Sequence, residues 1–212
     1  MNLKEWQQKN NVSDISFYKT KTLQYKNSAA WYENSNKIIK ELFSTEPDLF
    51  IKLLASSSPR NTVKRNTELA CDAFYNITRN EGRLIVYGMA NKVISNNIDK
   101  VKRGIAPSGI KVNNFIDSLK LIDGAVCIDV WMLKAFNLSR SSPTTNDIVH
   151  ITHIIKLIAN KLNMTTYQVQ ACLWTYAKTE LNTSVHKDNH DFSYFIHKAN
   201  NKYKLTQTVL QS

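Results

Sequence analysis

Punctuation is the feature that most restricts this chain. Five glycines and four prolines serve 212 residues. A chain built of many short strands needs tight turns, and tight turns need these residues. So few breakers favour long helices, and the apolar residues repeat accordingly. Ile151, Ile154, Ile155, Ile158 and Leu162 recur at helical spacing and form the clearest amphipathic stripe. Ile38, Ile39, Leu42 and Phe43 form another. A further helix is expected from Ser44 or Thr45, with Pro47 in its first turn and Phe50, Ile51, Leu53 and Leu54 buried.

The pattern continues. Val63, Ala70, Phe74 and Ile77 mark a helix that Gly82 ends, and Val86, Met89, Ala90, Val93 and Ile94 mark the next. GIAPSG at 104–109 is a turn, followed by a helix carrying Val112, Phe115, Ile116 and Leu119. Gly124 punctuates again, and Asp129 starts a short helix. Thr165 or Thr166 caps a helix with Val169, Cys172, Leu173 and Tyr176. Phe192, Tyr194, Phe195 and Ile196 read as a docking segment in a polar, Asn/Lys-rich tail. Eight to ten helices and no strand pair make the expected class all-α.

Charge narrows the partner. Lys and Arg number 28 against 17 Asp and Glu, a net charge of +11. A surplus of that size suits a polyanion, above all nucleic acid, with an inert basic surface as the plain alternative. No apolar run approaches the roughly 18 residues of a membrane span, and the N-terminus lacks the apolar core of a signal peptide. Cys71, Cys127 and Cys172 all sit among apolar neighbours, as reduced thiols of an intracellular, cytoplasmic protein do. Three cysteines are too few for a four-thiolate zinc or iron–sulfur site. His186, Asp188, His190 and Asp191 are metal-ligand types, but their stretch is polar and loop-like, so no metal is expected there.

The stretch from Gly104 to Leu138 carries the most specific signal: a turn, a short helix, then apolar residues 125–128 leading to a carboxylate at a helix start. The helix-hairpin-helix DNA glycosylases share this order. Gly109-Ile110-Lys111 resembles their Gly-x-Lys segment, and Ile128-Asp129-Val130 resembles their catalytic Asp segment. The 18-residue separation of Lys111 and Asp129 is similar to the endonuclease III-like branch. Residues 53–57 and 62–65 resemble that family's Leu-Leu-Ser-Ala-Gln segment and the helix after it, with Ser57 at the Gln position. Residues 169–174 resemble small phage-encoded helical proteins related to these enzymes. The departures are plain. Pro107 stands where the hairpin has its first glycine, Val130-Trp131 replaces Thr-His, and the iron–sulfur cysteines are absent.

The resemblance implies a two-lobed helical bundle spanning residues 1–212, with a central lobe of 47–125 and a second lobe of 20–46 and 126–212. It implies a monomer acting on DNA without cofactor. A base leaves the stack, and Asp129 stabilises the positive charge that builds on the sugar as the glycosidic bond breaks. Lys111, as a neutral amine, would attack C1′ and permit strand cleavage through a Schiff base. Ser57, Arg60, Lys64, Gly109 and Lys111 are the expected DNA contacts, and Trp131 the expected wall of a base pocket. Trp174 could line the same pocket, with core packing the preferred reading.

Plainer readings accompany each of these residues. Asp129 at a helix start is a natural N-cap, Lys111 a phosphate contact, and Ser58-Pro59 a capping pair. Two other functions fit the same chain. One is a non-catalytic DNA- or protein-binding module on this scaffold, such as a phage effector. The other is a helix-turn-helix regulator.

Overall fold

The structure is a computed structural model describing residues 1–79, 92–182 and 192–210, with side chains to residue 201. Gly82, Val86, Met89 and Ala90 lie outside the described residues, as do His186, Asp188, His190 and Asp191. The described residues form eleven α-helices: α1 (Leu3–Asn10), α2 (Ile15–Gln24), α3 (Trp31–Leu42), α4 (Pro47–Ser56), α5 (Val63–Thr78), α6 (Lys92–Lys102), α7 (Ile110–Leu119), α8 (Val130–Ala135), α9 (Thr145–Leu162), α10 (Thr166–Glu180) and α11 (Phe192–Leu210). A short 3-10 turn covers Lys26–Ser28, and no strand occurs among the described residues. The protein is all-α. None of these helices is long and apolar enough to cross a membrane.

Two compact units divide the chain. One comprises Met1–Tyr32 and Leu121–Asn189, the other Glu33–Lys120 and His190–Ser212.

In the first unit the isoleucine stripe of α9 is wholly buried, since Ile151, Ile154, Ile155 and Ile158 have no exposed surface. Thr144 starts α9 through a capping box with Asp147. The buried Asp147 carboxylate also accepts from Trp6 Nε1 at 3.1 Å and pairs with Arg140 at 3.2 Å. That satisfies a charge whose isolated burial is costly, and it ties α1 to α9. Tyr18 of α2 stacks on Phe136 with ring centroids 4.2 Å apart, a contact worth about 1 kcal/mol beyond its buried area. Helix α10 packs against α2, α8 and α9.

The second unit centres on α4, whose Phe50, Ile51, Leu53, Leu54 and Ala55 are all buried. Pro47 occupies its first turn, where a missing N–H costs nothing. Phe43 stacks on Phe50 at 3.7 Å, and Phe74 of α5 meets both edge-on. Truncating Phe50 to Ala removes the centre of this cluster and costs about 3–5 kcal/mol. Helices α5, α6 and α7 surround α4, and α11 lies along α5.

The unit boundaries differ from the expected lobes. Residues 33–46 fall with α4, because Ile39 and Phe43 are buried in its unit. Residues from His190 onward fall there too, since Phe192, Phe195 and Ile196 anchor α11 in that core. The N-terminal 32 residues complete the other unit through Trp6 and Tyr18.

Candidate functional site

Asp129 belongs to the first unit. The chain reaches it through the buried residues Val126, Cys127 and Ile128. This extended stretch is held by Gln170 of α10, which accepts from the Cys127 amide at 2.8 Å and donates to the Tyr32 hydroxyl at 2.8 Å. Extended backbone then turns into α8 at Asp129, with φ −109° and ψ −174°. Met132 and Leu133, both fully buried, fix that helix in the core.

The Asp129 carboxylate is engaged on both oxygens. Oδ1 accepts from the Trp131 and Met132 amides at 3.0 and 2.9 Å. Oδ2 accepts from Trp174 Nε1 at 3.1 Å. Asp129 is therefore the N-cap of α8, and it is half-buried rather than sealed. An ionised carboxylate offers about four acceptor positions. The described residues take three, leaving one on Oδ2.

Basic and aromatic side chains gather beside it. Trp131 is half-buried, and Lys134 lies 4.2 Å from its ring centroid. Lys178 lies 5.0 Å from the same ring and 5.3 Å from that of Trp174. Trp31 approaches Trp174 at 6.0 Å. Trp174 is half-buried against the core instead of inside it, because its indole N–H turns to the carboxylate. Sequence reading missed Lys134 and Lys178 as site residues and preferred the core to a base pocket for Trp174. Their spacing carried the signal: Lys134 follows Trp131 by three positions and Lys178 follows Trp174 by four, which puts each lysine on its indole's helix face.

Lys111, Gly109, Ser57, Arg60 and Lys64 belong to the second unit. There α6 and α7 are joined by the turn at 103–109. Gly104, at φ +74°, ends α6, with its N–H bonded to the Val101 carbonyl and the Ile105 N–H to that of Lys100. This pairing is a Schellman closure, and it needs the left-handed conformation that glycine tolerates. Asn97, buried on α6, holds the far side of the turn twice. Its Nδ2 donates to the Ser108 carbonyl at 3.0 Å, and its Oδ1 accepts from the Ser108 amide at 2.9 Å. The Lys100 ammonium meets the Ser108 hydroxyl.

Gly109 is the N-cap of α7 and has no side chain to satisfy the first amides. Lys111 is half-buried in the first turn of α7. An open groove of about 410 Å³ borders the turn, lined by Asn96, Asp99, Lys100, Arg103 and Gly109 among others. Arg103 is paired with Asp99 at 2.9 Å.

The structure corrects the expectation for Ser57. It has no exposed surface, and its hydroxyl bonds the Leu53 carbonyl at 2.9 Å and Asn66 Oδ1 at 2.6 Å. It closes α4 onto α5, with its hydroxyl turned inward. Arg60 is exposed in this connection and held in the left-handed region at φ +62°. A non-glycine residue pays of order 1 kcal/mol for that conformation. Lys64 is exposed in the first turn of α5. No group of three His, Cys, Asp or Glu among the described residues is placed to hold a metal.

A family model, described as a family of unknown function (DUF7178), matches residues 2–181, a span that includes both the 103–109 turn and Asp129. No curated protein and no solved structure matches the chain.

Proposed function

The chain belongs to the DUF7178 family, and we propose that it is a DNA-binding enzyme that removes a base from DNA, with Asp129 as its catalytic carboxylate. The observation that carries this reading is the fixed placement of that group. Three donors hold the carboxylate at a half-exposed helix start beside Trp131, Lys134 and Lys178. Breaking a glycosidic bond builds positive charge on the sugar, and a carboxylate that need not move stabilises it without reorganisation. A water then takes the base's place at C1′. The half-buried indole of Trp131 offers a planar group to a base that has left the stack. In the second unit, the start of α7, which has no side-chain cap at Gly109, and the Lys111 ammonium are of the kinds that suit a DNA phosphate. The net charge of +11 supplies the long-range attraction.

The test is a panel of duplex oligonucleotides, each holding one altered base, with base release measured by chromatography. Release from at least one member, lost in Asp129→Asn, is expected. No release from any member sinks the enzyme reading. A covalent step through Lys111 has its own readout. Borohydride would trap an imine to DNA, and Lys111→Ala would abolish the trapping. Release without trapping makes the enzyme monofunctional and leaves Lys111 as a phosphate contact.

A second reading, a DNA-binding module without catalysis, is favoured by one specific observation. Capping α8 occupies two of the acceptor positions of Asp129, and the Trp174 indole a third. On that reading DNA binding survives in every arm and no base is released.

A further inference from the structure

Three of the chain's four tryptophans, Trp31, Trp131 and Trp174, meet in one half-buried patch of the first unit, while Trp6 alone is sealed in the core. Surface indoles are usually scattered, because each leaves apolar area in water. Here two ammonium groups stand over the rings, with Lys134 at 4.2 Å and Lys178 at 5.0 Å from the Trp131 centroid. Lysine packing on indole is common by itself and contributes about 0.5–1 kcal/mol at exposed sites. What sets this patch apart is the combination. A half-buried indole lies within one nucleotide's reach of two positive charges that stand over its ring, and a stacking base would take their place there as they turn to its phosphates. The Asp129 carboxylate is bonded to the N–H edge of Trp174.

We propose that this patch is a binding site for an unpaired nucleotide of single-stranded DNA, its base stacked on Trp131 and its flanking phosphates held by Lys134 and Lys178. The chemistry follows from what the two kinds of group recognise. Every base has a π-face, so stacking on indole is tolerant of sequence, and the ammoniums track the phosphate chain. A protein ligand would not need cations over the rings, and a lipid surface would favour exposed aliphatic residues in place of half-buried indoles. The inference rests on the proposed function only for the choice of DNA. A single strand offers the base already unstacked, so binding here requires neither duplex opening nor base release.

The experiment compares a ten-residue oligo-dT with a chain of the same length in which every base is replaced by an abasic tetrahydrofuran. All four tryptophans lie in the first unit, so tryptophan fluorescence reports this unit alone. Oligo-dT should quench it and bind about tenfold or more tighter than the abasic chain. Trp131→Ala should abolish that preference, and Trp131→Phe, which keeps a stacking face, should retain most of it. The Lys134→Gln/Lys178→Gln double variant should weaken both ligands and lower the log–log salt slope by about two. Equal binding of the two chains by the parent, or a preference that persists in Trp131→Ala, overturns the proposal. Should Trp131→Ala fail to fold, an unchanged salt slope in the double lysine variant overturns it instead. Base release from duplex DNA is scored separately. Release without a single-strand preference removes this inference alone, and a preference without release removes only the enzyme reading.

Discussion

Replacing Asp129 by Asn is less innocent than it looks, and the structure says by how much. The amide oxygen can keep accepting from the Trp131 and Met132 amides, so the cap on α8 survives. The amide nitrogen then faces Trp174 Nε1, which is also a donor. A charge-assisted bond is lost and two donors are set against each other. Bonds to charged groups are worth about 1.5–3 kcal/mol, and the half-exposed site brings this toward the lower end. We therefore expect Asp129→Asn to cost about 1–2 kcal/mol, which lowers the melting temperature by roughly 3–6 °C in a chain of this size. Asp129→Ala also loses the cap and should cost about 1 kcal/mol more. Trp174→Phe removes the opposing donor, so the Asp129→Asn/Trp174→Phe pair should be less destabilised than the two single losses added. A coupling of about 1 kcal/mol is expected. Thermal unfolding followed by tryptophan fluorescence isolates the first unit, which holds all four indoles. Additive losses, or an Asp129→Asn variant that melts with the parent, would refute the assigned hydrogen bond. Base release and DNA binding belong on the same samples, so that lost activity is not confused with lost fold.

Three further outcomes follow from other parts of the molecule. Asn97→Ala leaves the amide and carbonyl of Ser108 without their partner. It should cost about 2 kcal/mol and weaken duplex binding through the 103–109 turn; unchanged binding removes that turn from the interface. Acid should destabilise the first unit. Hydrogen bonds from Thr166 and Gly124 hold the Asp123 carboxyl below its ordinary 3.8, and Lys21, with Tyr25 and Gln24, holds Glu180 below 4.5. Both pKa values are depressed by folding, so their contribution is full above about 4.5 and is lost as pH falls through the lower folded-state values; Asp123→Asn/Glu180→Gln should flatten this acid limb, and an unchanged limb counts against it. Burial pushes the Cys71 thiol up, and Cys127 and Cys172 are buried too. A disulfide reagent should therefore find no thiol in the native protein and three in denaturant; rapid native reaction would show that one of the three is accessible.

What was legible in the sequence was what burial writes into it. The stripe at Ile151, Ile154, Ile155 and Ile158, the apolar run of α4 and the helix start at Asp129 all announce themselves, because several residues of one face must leave water together. Helices α1 and α2 do not, since each buries very little: Trp6 in one, Tyr18 and Thr22 in the other. Their readable signals were the caps, Asn2 with Glu5 and then Asp14. Ser57 shows the opposite failure. A serine among serines and a proline reads as surface, but its polarity is satisfied internally by Leu53 and Asn66. Composition records that a group is polar and does not record where its hydrogen bond is made.

The same distinction bears on Asp129, where capping and catalysis are usually weighed as rivals. A carboxylate that must move to take a proton is poorly served by three donors, because leaving any of them strands an amide or an indole N–H. A carboxylate that acts only by its charge is well served, since the donors fix its position before substrate arrives. On the proposed function, the bonds that make Asp129 a competent cap restrict its chemistry without abolishing it. They exclude a mobile base and leave a stationary counter-charge with one acceptor position on Oδ2 that the described residues do not take. Loss of a base from a sugar asks for a counter-charge of that kind, and the indole and lysine side chains beside Asp129 are of the types that would keep a nucleotide near it.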